Sequence, residues 1–250
     1  MQIQNNIYER GLLYDLCNYF HCFICGFCLH CQIYLHTHDQ ERTPPERMPL
    51  IMECDCEINF EYHEFVDCIT SALDARDPYT GNHSRRVSDM TCMLCHELGL
   101  SEKETQEIHI AAHLHDIGKI GIPDSVLLKA DRLNDEEWAL MKQHPQIGAD
   151  ILAKSPHFAR ISAVILHHHE RFDGLGYPFG AKGEEIPLGS RIIAVCDSID
   201  AMASARAYRK ALPLEVCRSE IEKNIGKMYA PKIAEAVLKR WDDAVSVYRS

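Results

Sequence analysis

The sequence has little of what marks a membrane protein. In its Cys/His-rich N-terminal region the longest apolar run, Cys22 to Leu29, is closed off by His21 and His30, well short of the ~20 residues a spanning helix needs. A basic start and a small-residue cleavage site are also lacking there, so no signal peptide is expected. Positive charge is in deficit: 26 Lys and Arg against 37 Asp and Glu leave a net charge of −11. That balance argues against a DNA or RNA polymer as partner, because such binding needs a basic face. Any phosphate ligand must then be met locally, by metal ions and a few cations. The two-residue alternation of a half-buried sheet is missing as well, apart from a minor ribbon around Phe172 to Pro187, so the expected fold is all-α. A disulfide pattern is also absent. Seven of the 12 cysteines (17, 22, 25, 28, 31, 54, 56) fall in the first 56 residues and five are scattered, in a chain longer than disulfide-dependent domains usually are. A reducing cytoplasm is the expected setting.

What is present divides in two. Residues 1–56 hold Cys22, Cys25, Cys28 and Cys31 at every third position, with His21, His30, His36 and His38 around them. Such spacing can hold zinc or an iron–sulfur cluster. The favoured reading is nevertheless an unstructured extension, ahead of a metal or cluster site and then of a partner-docking helix, and Thr43 to Pro49 reads as a linker. From residue 57 the chain turns to helices with legible ends. Ser101-Glu-Lys-Glu104 is a capping box, opening a helix expected to run through His115-Asp116 and stop at Gly118. Asn134 to Glu137 opens a second helix. Pro145 belongs near a helix start or a kink. Arg191 to Met202 carries apolar residues on most sides, as a buried helix would. Pro213 and Pro231 begin two more, the last ending near Trp241.

The chemistry gathers at His113-Leu-His-Asp-Ile-Gly-Lys119. His115 and Asp116 project about 100° apart on a helix and can reach one centre lying between them. Imidazole with carboxylate is a donor set for catalytic iron, manganese or zinc. Lys119 would bring an ammonium to its rim. Further donors recur along the chain, at His83, His144, His168 with His169, and Asp197. They come from separate helical segments, as in metal sites built inside bundles. They exceed what one zinc needs, which argues for two metals bridged by carboxylate and water. Near them, His113 reads as a packed core histidine, His167 as structural, and Asp200 as an orienting group or cap. Gly174 and Gly176 read as turn formers or points of close approach to a ligand.

These motifs resemble the HD-GYP branch of the HD phosphohydrolase superfamily. The matching elements are Asp77 to His83, His115 to Lys119, His168 to Pro178, and Arg191 to Asp197 continuing to Arg206 and Arg209. They span roughly residues 60 to 245, within an expected domain of residues 57–250. The resemblance implies a helical HD-type bundle that opens cyclic di-GMP to pGpG, and in some members to GMP, by a metal-bridged hydroxide. It implies two divalent ions, iron or manganese. His83, His115, His144, His168, His169 and Asp197 would be terminal ligands, with Asp116 bridging. Asp116 and Lys119 would carry the catalysis, and Lys119, Tyr177, Arg206 and Arg209 would contact substrate. Some members carry a glutamate four residues before the first ligand histidine, which helps to hold a third ion. Tyr79 stands there in this sequence, and a neutral phenol is a poor ligand, so a dinuclear centre is expected. The alternatives are a non-catalytic module binding a nucleotide or a diguanylate cyclase, and a phosphodiesterase for another cyclic dinucleotide.

Deleting residues 1–50 is expected to leave a folded, active domain, because no matching motif lies there. Activity and metal content of the truncated protein check this. Loss of bound iron together with activity would instead indicate a functional cysteine cluster.

Overall fold

A computed structural model describes residues 62–77, 82–205 and 210–248. The N-terminal Cys/His segment, Tyr79, Arg206 and Arg209 lie outside the described residues. Eleven α-helices occur among the described residues: α1 Tyr62–Arg76, α2 His83–Glu97, α3 Glu102–Leu114, α4 Asp124–Leu127, α5 Asp135–Met141, α6 His144–Leu152, α7 Ala159–Leu166, α8 Leu188–Ala203, α9 Leu214–Lys223, α10 Pro231–Lys239 and α11 Trp241–Ala244. No strand occurs among these residues, which hold a single isolated bridge between Ile225 and Tyr229. No helix among them is long and apolar enough to cross a membrane.

Both capping boxes form. The Ser101 and Asn134 side chains accept from the backbone N–H groups of Glu104 and Glu137, whose carboxylates bond back to the caps. This satisfies two otherwise free donors at each helix start. Helix α8 is the central element, packed against α2, α7, α9 and α10. Its Ile192, Ile193, Val195, Cys196 and Ile199 are fully buried, so most of its circumference faces other helices. Pro145 sits in the first turn of α6. Pro213 and Pro231 open α9 and α10, but α10 stops at Lys239 and Trp241 begins a separate short turn.

Two local expectations are corrected. Helix α3 ends at Leu114 and does not continue to Gly118; His115 caps it, Asp116 turns the chain at φ −95°, and a 3₁₀ turn follows over Ile117–Gly121. The cause is long-range. A Cβ on Gly118 would lie 1.8 Å from the His144 carbonyl oxygen and 2.6 Å from the Gly148 nitrogen. Only glycine lets this turn close directly onto the backbone of α6. Residues 172–187 form no ribbon: one backbone bond crosses the segment, from the Gly183 N–H to the Phe172 carbonyl at 3.0 Å, and the N–H groups at its start look elsewhere. The Phe172 and Asp173 N–H groups donate to the Met228 and Lys227 carbonyls at 3.2 and 2.7 Å.

Arg76, at the end of α1, fastens the 3₁₀ turn from its other side. Its guanidinium donates to the carbonyls of Lys119, Ile120 and Ile122 at 2.8, 2.7 and 2.5 Å, and pairs with Asp124 at 2.7 Å. The turn between His115 and α4 is thus held by an arginine and by a glycine contact.

Gly118→Ala is expected to cost ~1–3 kcal/mol through overpacking, because backbone rather than a flexible side chain blocks the new methyl. Chemical denaturation of the metal-free protein measures this. Unchanged stability would mean that the turn and α6 do not meet as described.

Candidate metal centre

The seven expected donors, from five segments, meet. His83 opens α2, His115 caps α3, Asp116 follows it, His144 opens α6, His168 and His169 follow α7, and Asp197 lies on α8. Three rings are fixed in the same way. The Nδ1–H groups of His115, His144 and His168 donate to the carbonyls of Ala112, Met141 and Ile165, each three residues earlier, at 2.7, 2.8 and 2.5 Å. Those carbonyls lie in the last turns of α3, α5 and α7, where helices leave acceptors without intrahelical partners. The fourth ring, His83, places Nδ1 2.7 Å from Asp200 Oδ2. Every Nε2 is therefore turned toward the other rings.

The Nε2 atoms fall into two groups. His83 and His115 place theirs 3.2 Å apart, with Asp197 Oδ1 3.4 Å from His83. His144 and His168 place theirs 3.3 Å apart, with the His169 ring edge-on to His144 and tilted against His168. Asp116 stands between the groups. Its Oδ1 is 3.4 Å from His144, while its Oδ2 is 3.4 Å from His115 and 3.7 Å from His83. Lys119 Nζ approaches that same Oδ2 at 2.7 Å.

This donor set fits divalent cations. Burial, reinforced by the neighbouring imidazoles, holds His168 well below its ordinary pKa. Burial also lowers His144 against the opposing pull of Asp116. Both rings are neutral, and both have spent their one N–H on a backbone carbonyl. Two bare lone pairs thus face each other at 3.3 Å, and leaving buried acceptors unpaired costs ~1–3 kcal/mol each. A cation between them removes that penalty. In the other group burial opposes charge on His115, but the Asp116 carboxylate outweighs it and lifts the imidazole to about 9. A proton there occupies the place a metal ion would take. Burial opposes charge on Asp116 too, yet Lys119 and His115 hold its carboxyl well below the usual range.

Residues outside the expected ligand set support the centre. Asp200 is buried and, besides His83, accepts from Arg86 at 2.5 Å, and from the Tyr248 hydroxyl. Its pKa falls despite burial, because His83 and Arg86 stabilise the carboxylate. The orienting reading of Asp200 agrees with this geometry. His113 is buried, as expected, and its Nε2 lies 2.9 Å from the Ser88 hydroxyl. In the loop after His169, Gly174 takes φ +82°, whereas Gly176 is needed because a Cβ would lie 2.3 Å from the Arg171 nitrogen. That tight approach lets Tyr177 N–H donate to the His169 carbonyl at 3.2 Å and sets the two rings 4.8 Å apart.

A cavity of about 530 Å³ opens over the donors. Its walls include Asp77, Lys119 and Tyr177, together with three residues that sequence reading missed: Lys129, Arg132 and Trp138. Trp138 projects from α5, a helix with no buried residue. A lone large aromatic on an otherwise acidic, exposed helix was the available signal. Its ring meets that of Tyr177 edge-on at 6.2 Å.

Comparison with known proteins identifies the family and the fold. A cyclic di-GMP phosphodiesterase of Thermotoga maritima is 45% identical over 195 residues, covering 76% of this chain and 53% of that protein. The cyclic di-GMP phosphodiesterase response regulator RpfG of Xanthomonas campestris pv. campestris is 41% identical over 185 residues, 73% of this chain and 49% of its own length. The chain thus spans about half the length of these curated relatives. The crystal structure of a cyclic GMP-AMP specific phosphodiesterase of Vibrio cholerae, V-cGAP3, shares the fold. It aligns with a TM-score of 0.59 and 22% identity over 75% of this chain and 50% of that one. The family model for the HD domain matches residues 67–233, a span that contains every donor of both groups. The chain belongs to the HD domain family, in the HD-GYP branch whose motifs it carries.

Proposed function

We propose that this chain is a metal-dependent phosphodiesterase that opens cyclic di-GMP to the linear dinucleotide pGpG, within a domain of residues 57–250. The observation that carries the reading is the pair of donor groups sharing one carboxylate. His83, His115 and Asp197 would hold one ion, and His144, His168 and His169 the second, with Asp116 offering one oxygen to each. Iron or manganese suits these mixed nitrogen and oxygen donors. When bound, two such ions supply Lewis acidity to water and to the scissile phosphate.

The chain's own residues do the rest. The carbonyls of Ala112, Met141 and Ile165 lock the ring orientations, so binding an ion requires little rearrangement. Lys119 places an ammonium beside the Asp116 carboxylate at the cavity wall, where a phosphate oxygen gains a charge-assisted hydrogen bond. Tyr177 and Trp138 give the cavity two flat aromatic surfaces against which bases can stack. Arg206 and Arg209 are proposed as further phosphate contacts on the strength of the motif alone. The cavity volume lies within the range of small-ligand sites. Hydrolysis adds one water across one phosphodiester bond, leaving the second intact in the product.

An anaerobic assay of metal-loaded protein with cyclic di-GMP, with products separated by chromatography, tests the reading directly. Turnover of a different cyclic dinucleotide alone would move the substrate assignment and leave the chemistry.

Three variants separate the roles. Asp116→Ala is expected to lose metal content and turnover together, since it removes the shared ligand. Lys119→Ala is expected to keep its metal and lose turnover ~10²–10³-fold, the scale of removing one transition-state donor. Asp200→Ala is expected to weaken metal affinity ~10–100-fold, as loss of a group that orients a ligand does. Metal analysis beside steady-state rates checks all three. Full metal and full activity in the Asp116 variant would refute the dinuclear centre.

A further inference from the structure

A second histidine cluster lies outside the centre described above and shares no residue with it. His63 and Asp67 stand four apart on α1, and His109 and His113 stand four apart on α3, which packs against α1. A four-residue offset places each pair on one helical face. The rings converge, with centroids 5.3 Å apart for His63 and His109, 5.0 Å for His63 and His113, and 4.8 Å for His109 and His113. One nitrogen from each ring lies within 4.8 Å of the others.

The hydrogen bonds decide which nitrogens carry lone pairs. The Ser88 hydroxyl donates to the Arg85 carbonyl at 2.8 Å, so at its 2.9 Å contact with His113 Nε2 it must accept. His113 Nδ1 is then a bare lone pair. That atom is buried and has no hydrogen-bond partner. His109 Nδ1 lies 3.2 Å from the Ser88 carbonyl, to which only an N–H can bond, so its Nε2 is bare too. His63 Nδ1 pairs with Asp67 Oδ2 at 3.2 Å, which turns its Nε2 to His109 Nε2, also 3.2 Å away. Asp67 Oδ1 lies 3.6 Å from His113 Nδ1 and completes the group with a negative charge. Two nitrogens bound to a tetrahedral zinc at ~2.05 Å stand about 3.3 Å apart. The spacing of His63 and His109 is close to that.

We propose that His63, His109 and His113, with Asp67 beside them, form a zinc-binding site that ties α1 to α3. Three imidazoles and a carboxylate are donors that favour zinc over manganese. His63 is exposed, His109 half-buried and His113 buried, so an ion has a route in from solvent and an anchored floor to bind against. The clip would brace α1, whose last residue, Arg76, holds the turn that carries Lys119.

The test uses the full chain, loaded with manganese, equilibrated with micromolar zinc and desalted before metal analysis. His63→Ala and His109→Gln are each expected to hold one zinc per chain fewer than the unsubstituted protein, with unchanged manganese. They are also expected to lose the zinc-dependent rise in melting temperature that ligand binding to the folded state produces. His157→Ala, at an exposed histidine elsewhere, is expected to change neither quantity. His63 is exposed on its helix, so its variant keeps the fold and the comparison stands even if His109→Gln does not. Zinc content in the His63 variant equal to that of the unsubstituted protein would overturn the proposal. Uptake that needs millimolar zinc, or that falls equally in His157→Ala, would overturn it as well.

Discussion

Everything in the main centre depends on how helices end. The last turn of an α-helix leaves carbonyls without partners, and this chain places a histidine within reach of three of them. Each ring spends its Nδ1–H on that carbonyl, and its second nitrogen has nowhere to point but inward. One interaction thus caps a helix, selects a tautomer and aims a ligand. A histidine that ends a helix favourably and a histidine that holds a metal are usually rival readings. For His168 they are the same contact seen from its two nitrogens, since burial leaves the ring neutral and its inward Nε2 bare.

The remaining constraint is the distance between the two donor groups, and backbone sets it. Asp116 can face both only because the turn after it closes against α6, where Gly118 and the His144 carbonyl leave no room for a methyl. His144 belongs to one group and Asp116 links it to the other, so the glycine contact fixes the width of the whole site. Arg76 holds the same turn from α1 through three carbonyls. Neither residue touches a donor atom of the centre, yet both decide where those atoms stand.

The donors and most helix starts were legible because their signals are local. Ser101 with Glu104, Asn134 with Glu137, and the proline starts at 145, 213 and 231 all read correctly from a few neighbouring residues. What escaped was set by partners far along the chain. The early end of α3 depends on Gly118 meeting α6, and the 172–187 loop is tied at its start to the carbonyls of Lys227 and Met228. Trp138 and Arg76 were missed for a related reason. An exposed tryptophan and a helix-terminal arginine are ordinary in sequence, and only the folded chain shows what they face. His113 was read as a packed histidine, which it is, but its orphaned nitrogen becomes visible only once Ser88 and Arg85 are placed.

The choice between an enzyme and a binding module rests on the cost of the centre. A module that only recognised a nucleotide would need cations and aromatic surfaces at the cavity wall, and Lys119, Tyr177 and Trp138 already provide those. It would gain nothing from burying His144 and His168 with lone pairs opposed at 3.3 Å, or from placing a carboxylate between two imidazole groups. Those features lower the stability of an ion-free fold, since unpaired buried acceptors and buried charge both cost free energy. They become favourable only when divalent ions occupy the middle. On the proposed reading, two ions sharing one carboxylate at the floor of an open cavity would be placed to act on a phosphodiester, a demand that recognition alone does not make.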